Sequence, residues 1–219
     1  AAGCCAAPPS GPDAQSVHRR MAGLLAWTTL VSLFSSAFQC RYGQWLHGSF
    51  GMSASAVGGF SNAIAVGNLA GNLVTQILGD VVLPVRTVAA LMGLLMAALS
   101  VVLFAVPATI SVASLFVLVL LLFLSMECSF LTSFSYATQL LGDAEMTGMS
   151  LRFASSSLGS VIGDWVAPYP SMPALFGASA VGYLVASGLL VACSPPHGGQ
   201  FADADHVSER ETSPTPIAA

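Results

Sequence analysis

From Met21 to Ala202 the chain has only eight residues with a formal charge: Arg41, Asp80, Arg86, Glu127, Asp143, Glu145, Arg152 and Asp164. Nearly all of them fall between long apolar runs. A charge inside hydrocarbon is expensive, so a chain that crosses a bilayer repeatedly confines its charges to the connections. This distribution is the signature of a polytopic membrane protein. Composition agrees, because 55% of residues are hydrophobic and 7% are charged, whereas a soluble domain has about 25% charged residues. The net charge of −4 comes mostly from the tail, where Asp203, Asp205, Glu209 and Glu211 outnumber Arg210. There is no lysine and no basic patch of the kind that binds nucleic acid.

Each crossing needs about 20 apolar residues, and the stretch from Met21 to Cys193 has room for six with short connections. Residues 1–20, rich in Ala, Pro, Gly and Ser, read as a disordered lead-in ending at His18-Arg19-Arg20, and they lack the layout of a signal peptide. The first span is expected at 21–40, followed by a polar, aromatic loop from Gly43 to Met52. Ser53 is placed to cap a second helix reaching Leu78, Gly79-Asp80 and Pro84 mark a turn, and Arg86 opens a third span to Val106. Forty residues, Thr87 to Met126, contain no formal charge; Pro107 divides this run, which starts a fourth span at 110–138. A turn at Gly142, Asp143 and Glu145 precedes a fifth helix at 146–166, Pro168 and Pro170 break it, and a sixth spans 172–193. Residues 194–219 are polar and Pro-punctuated and read as a disordered tail. The expected fold is therefore all-α, one six-helix transmembrane domain over residues 21–193.

The positive-inside rule orients it. With both termini cytoplasmic, Arg19, Arg20, Arg86, Arg152 and Arg210 lie inside and Arg41 alone lies outside. The cysteines Cys40, Cys128 and Cys193 have no metal-ligand spacing and read as small apolar residues, while Cys4-Cys5 would suit palmitoylation in a eukaryotic cytoplasm. Arg41, Tyr42, Trp45 and His47 read as an interfacial anchor. The chain opens on Ala rather than Met, which suggests processing or a piece of a longer protein.

The second span carries two pairs at four-residue spacing, Gly67 with Gly71 and Asn68 with Asn72. Glycines so spaced permit close helix approach, and amides in hydrocarbon need partners or a wet path. Tight packing is the stronger reading for the glycines; packing and a transport path are equal readings for Asn68 and Asn72. The fifth span repeats the pattern with Ser155, Gly159 and Gly163. Glu127 is the acid well inside an apolar span, so it must face the bundle interior. There it serves as a proton-coupling or substrate site, or as a structural acid bonded to hydroxyls such as Ser125, Ser129, Thr132 and Ser133. No paired Ser/His/Asp frame, phosphate loop or metal cluster is present, so neither catalysis nor a cofactor is expected.

Over residues 20–194 this layout resembles the carboxy-terminal six-helix half of a major facilitator superfamily transporter. The signature loop between the second and third helix of such a half is echoed by Gly79, Asp80 and Arg86, without its basic cluster. Within the superfamily the chain is most similar to drug and sugar efflux, arabinose-efflux-permease-like proteins. The residues that carry this are Arg41-Tyr42, Val57-Gly58, Gly67-Asn68-Leu69-Ala70-Gly71-Asn72, Glu127-Cys128-Ser129-Phe130 and Ser157-Leu158-Gly159-Ser160-Val161-Ile162-Gly163. The resemblance implies a second six-helix half, a small organic solute bound near the bilayer midplane, and efflux against an inward proton flux across a plasma or inner membrane. Glu127, Asn68, Asn72 and Ser129 are then the transport-path candidates. The alternative is a non-transporting fragment or a six-span scaffold.

Overall fold

The computed structural model describes residues 12–80, 85–105, 110–141 and 145–193. All regular structure in them is helical: α1 (Pro12–Phe50), α2 (Ala54–Asp80), α3 (Val85–Ala105), α4 (Val112–Leu141), α5 (Glu145–Val166) and α6 (Met172–Cys193). Cys4-Cys5, Pro84, Pro107, the turn at Gly142 and Asp143, and the tail from Ser194 lie outside the described residues. The cap expected at Ser53 forms, and two more appear that were not expected from the sequence. Ser53 Oγ accepts the Ala56 amide at 3.3 Å, and Ser111 and Ser171 cap α4 and α6 in the same way, through the amides of Ser114 and Ala174.

The first helix departs from expectation. It has 39 residues, about 58 Å at 1.5 Å per residue, and so includes both the end of the supposed disordered lead-in and most of the supposed loop. The reason lies in packing. Trp45 and Leu46 are buried, with the Trp45 ring 5.2 Å from Phe176 and 5.3 Å from Phe50, centroid to centroid. These contacts hold the extra turns in helical form. The helix ends at Gly51, whose φ of 64° places it in the left-handed region that L side chains avoid. Its amide returns to the His47 carbonyl at 3.0 Å, a common helix stop.

Helices α1, α3, α4 and α6 are each long and apolar enough to cross a membrane. The amides of α2 and the charges and serines of α5 lower the hydropathy of those two. Side-chain pairs give the relative directions. Thr29 meets Ser155, Ser32 meets Ser156 and Ser36 meets Asp164, so α1 and α5 run parallel. Gly67 faces Leu120 and Phe123 while Gly71 faces Leu124 and Glu127, so α2 and α4 are parallel too. Gly23 packs on Cys193 and Gly182 on Phe34, which makes α1 and α6 antiparallel. The amino end of α1 and the carboxy end of α6 therefore share one end of the bundle, where the Arg19 guanidinium donates to the Ala192 carbonyl at 3.2 Å. At the opposite end Arg41 Nη1 donates to the carbonyls of Ala167 and Pro170 at 2.7 and 3.0 Å, tying α1 to the α5–α6 turn.

The most extensive pairings are α1 with α5, α3 with α6, and α2 with α4, followed by α1 with α6 and α3 with α4. Exchanging α1, α2, α3 for α4, α5, α6 maps this set onto itself: α1·α5 becomes α4·α2, α1·α6 becomes α4·α3, and α3·α6 is unchanged. The core lies where α1, α4 and α6 meet, around Phe38, whose ring centroid is 5.7 Å from both Phe123 and Phe176.

Candidate functional site

The two small-residue stripes allow the helices around the site to come together. A Cβ built on Gly67 would lie 2.7 Å from the Leu120 carbonyl oxygen, and one on Gly71 would lie 2.6 Å from Glu127 Cβ and 2.8 Å from the Leu124 carbonyl oxygen. On α5, Gly159 and Gly163 press against the carbonyl oxygens of Thr29 and Leu33. All four glycines thus sit at helix contacts, in corresponding places on α2 and α5. Around the α5 stripe Ser155 Oγ donates to Leu25 O at 2.6 Å, and the hydroxyls of Ser32 and Ser156 meet at 2.8 Å.

Between these seams is a cleft of about 260 Å³ walled by α1, α2, α4 and α5. Hydroxyls from α1 and α5, the Gln39 and Asn68 amides and the Glu127 carboxylate supply its polar lining, and Phe123, Met126 and Phe130 supply the apolar part. Glu127 is half-buried. Its Oε1 accepts a hydrogen bond from Asn72 Nδ2 at 3.2 Å, and the same amide nitrogen donates to the Asn68 carbonyl at 3.0 Å. Both amide hydrogens of Asn72 are used, which fixes the group across the α2–α4 seam. Close approach at Gly71 is what brings Glu127 within reach of Asn72.

The hydroxyls that could have held Glu127 as a structural acid turn elsewhere. Ser125 donates to Leu121 O at 2.8 Å, Thr132 to Cys128 O at 2.7 Å and Ser133 to Phe130 O at 2.6 Å, each on its own helix. Ser129 is fully buried, and its Oγ is without a hydrogen-bond partner. It does not line the cleft, so the structure unites Glu127, Asn68 and Asn72 and leaves Ser129 out. The loop candidates stand apart as well. Gly79 and Asp80 end α2, their side-chain surroundings lying outside the described residues, and Arg86 begins α3 away from the cleft lining.

Arg152 requires a correction. Counted in the sequence as a cytoplasmic-side charge near a span end, it is 1% exposed, on the face of α5 that meets α4. Its Nε donates to Ser133 Oγ at 2.8 Å and its Nη2 to Phe130 O at 3.2 Å. The guanidinium carbon lies 3.6 Å from the Phe130 ring centroid and 4.0 Å from that of Phe134, within the range of cation–π attraction. Aromatic rings and carbonyls take the place of water around it. The sequence held one signal: Gly148, Arg152 and Ser156 follow each other at four-residue spacing, which puts the arginine on a packed stripe.

Asp164 is exposed and accepts hydrogen bonds from Ser36 Oγ and, at 3.1 Å, from Cys40 Sγ. Cys40 is therefore a polar contact rather than an apolar filler, whereas Cys128 is buried and donates to Gly71 O at 3.3 Å. Among the described residues no group of three or more His, Cys, Asp or Glu gathers around a common point. No protein-family model, curated protein or solved structure matches this chain.

Proposed function

We propose that this chain is a six-span membrane unit with both termini cytoplasmic, and that it forms one half of a transporter of the major facilitator type. A small organic solute occupies the cleft between two such halves, alternating access carries it across a plasma or inner membrane, and an inward proton flux through Glu127 drives its efflux. The observation that carries this reading is the cleft: a carboxylate held by one amide, among hydroxyls and amides, between helices of which α1 and α4 are apolar enough to cross a membrane. Support also comes from the helix pairing, which is unchanged when the first three helices are exchanged for the last three, as inverted three-helix repeats require. With Arg152 taken out of the orientation count, Arg19, Arg20, Arg86 and Arg210 still stand against Arg41.

Glu127→Gln in the protein as encoded, reconstituted in vesicles holding a pH-sensitive dye and challenged with a panel of sugars and amphiphilic cations, tests the proposal. Gln keeps the shape and the Asn72 contact but cannot titrate. Solute-dependent proton movement and uphill accumulation should vanish while counterflow exchange persists. Undiminished accumulation by the variant would remove Glu127 from the mechanism.

A further inference from the structure

The guanidinium of Arg152 is the most deeply buried charge among the described residues, and its hydrogen bonds are incomplete. Nε and Nη2 are bonded, but Nη1 is buried without a partner. No carboxylate touches it among the described residues, and rings and carbonyls alone leave a full positive charge in a low-dielectric bundle. Such a charge needs compensation.

The helix register points to its source. α4 and α5 are antiparallel, with Phe130 and Ser133 opposite Arg152 and Ala137 opposite Gly148. One turn toward the cleft from this level stand Glu127 on α4 and Ser156 on α5, both in the cleft lining; a turn is about 5 Å of rise. Phe130 belongs to both surroundings, its ring lying against the guanidinium while the residue also lines the cleft. Glu127 is the acid that α4 places at this end of the cleft, one helical turn before Phe130. The other groups the packed helices present to Glu127 are uncharged: Asn68 and Asn72 from α2, hydroxyls and Gln39 from α1, and the thiol of Cys128 beside it.

We propose that Arg152 is the resident countercharge of Glu127, and that the two form a charge pair across Phe130 in which the arginine is a positioning residue for the ionised acid. The inference rests on the transport reading and deepens it by naming the cation that stands behind Glu127. The pair itself is measurable without any transport step.

The test is a double-mutant cycle on the full chain in lipid nanodiscs, using Arg152→Gln, Glu127→Gln and the double variant, followed by thermal unfolding at neutral and acidic pH. Arg152→Gln should lower the melting temperature, and that loss should fall to less than half in the Glu127→Gln background. Acidification should narrow the gap between Arg152→Gln and the parent protein, because a protonated Glu127 no longer needs a cation. Arg152→Lys keeps the charge without the planar stack and should retain the dependence on Glu127. Should Arg152→Gln fail to accumulate, recovery of folded protein in the double variant supports the pair. Equal losses in both backgrounds and at both pH values, or equal failure of the single and double variants to fold, overturn it. Coupling in a protein that moves no solute would sink the transport reading and leave this one standing, and additive losses in an active transporter would do the reverse.

Discussion

Replacing Gly71 with Ala adds one methyl group at the tightest point of the α2–α4 seam. The new Cβ would stand 2.6 Å from Glu127 Cβ and 2.8 Å from Leu124 O, whereas carbon atoms rest about 3.5–4.0 Å apart. Two of the obstructing atoms belong to the backbone or lie next to it and cannot rotate away, so the helices must part by about 1 Å, a gap that forfeits a quarter to a half of each affected contact. Overpacking of this kind costs about 1–3 kcal/mol, offset by about 1 kcal/mol of improved helix propensity. The expected net loss is about 0–2 kcal/mol, and the expected gap to a glycine without neighbours is about 1–3 kcal/mol. Gly58 is the control, because nothing lies within 4 Å of its would-be Cβ, and its Ala variant should be unchanged or up to about 1 kcal/mol more stable. Reversible unfolding of both variants in mixed micelles measures the difference. Separation at this seam also lengthens the 3.2 Å bond from Asn72 to Glu127, so Gly71→Ala should weaken any activity that depends on Glu127. A Gly71→Ala protein as stable as Gly58→Ala would refute the reasoning.

Gly159→Ala should lose stability by a similar amount, since its Cβ would run into the Thr29 carbonyl; the same unfolding measurement checks it. Ser129→Ala removes a buried, unpartnered hydroxyl and should leave melting temperature and transport unchanged or raise the first; a loss of transport would return Ser129 to the path. Arg41→Met frees the carbonyls of Ala167 and Pro170 and should cost about 1–3 kcal/mol, visible as faster hydrogen exchange across the α5–α6 turn. Cysteines placed at Ser49 and Asp143 should label from opposite sides of the membrane, and labelling from the same side would end the six-span arrangement.

Much of this molecule is legible in its sequence. The spacing of prolines, glycines and charges locates six helices and the Ser53 cap, because each break has a local cause in backbone geometry or desolvation. Four-residue spacing identifies Gly67, Gly71, Gly159 and Gly163 as contact glycines, and the isolation of Glu127 places it toward the interior. What the tertiary structure decided is which helix meets which. A helix that is apolar on every side carries no stripe to aim it, so the α1–α5 and α2–α4 seams follow from backbone approach at the glycines, a property of two surfaces together. The same reason separates Ser129 from the cleft and extends α1 to Phe50 through the packing of Trp45. It also buries Arg152, since a guanidinium enters a bundle only where another helix offers the rings and oxygens to receive it, here Phe130, Phe134 and Ser133 of α4.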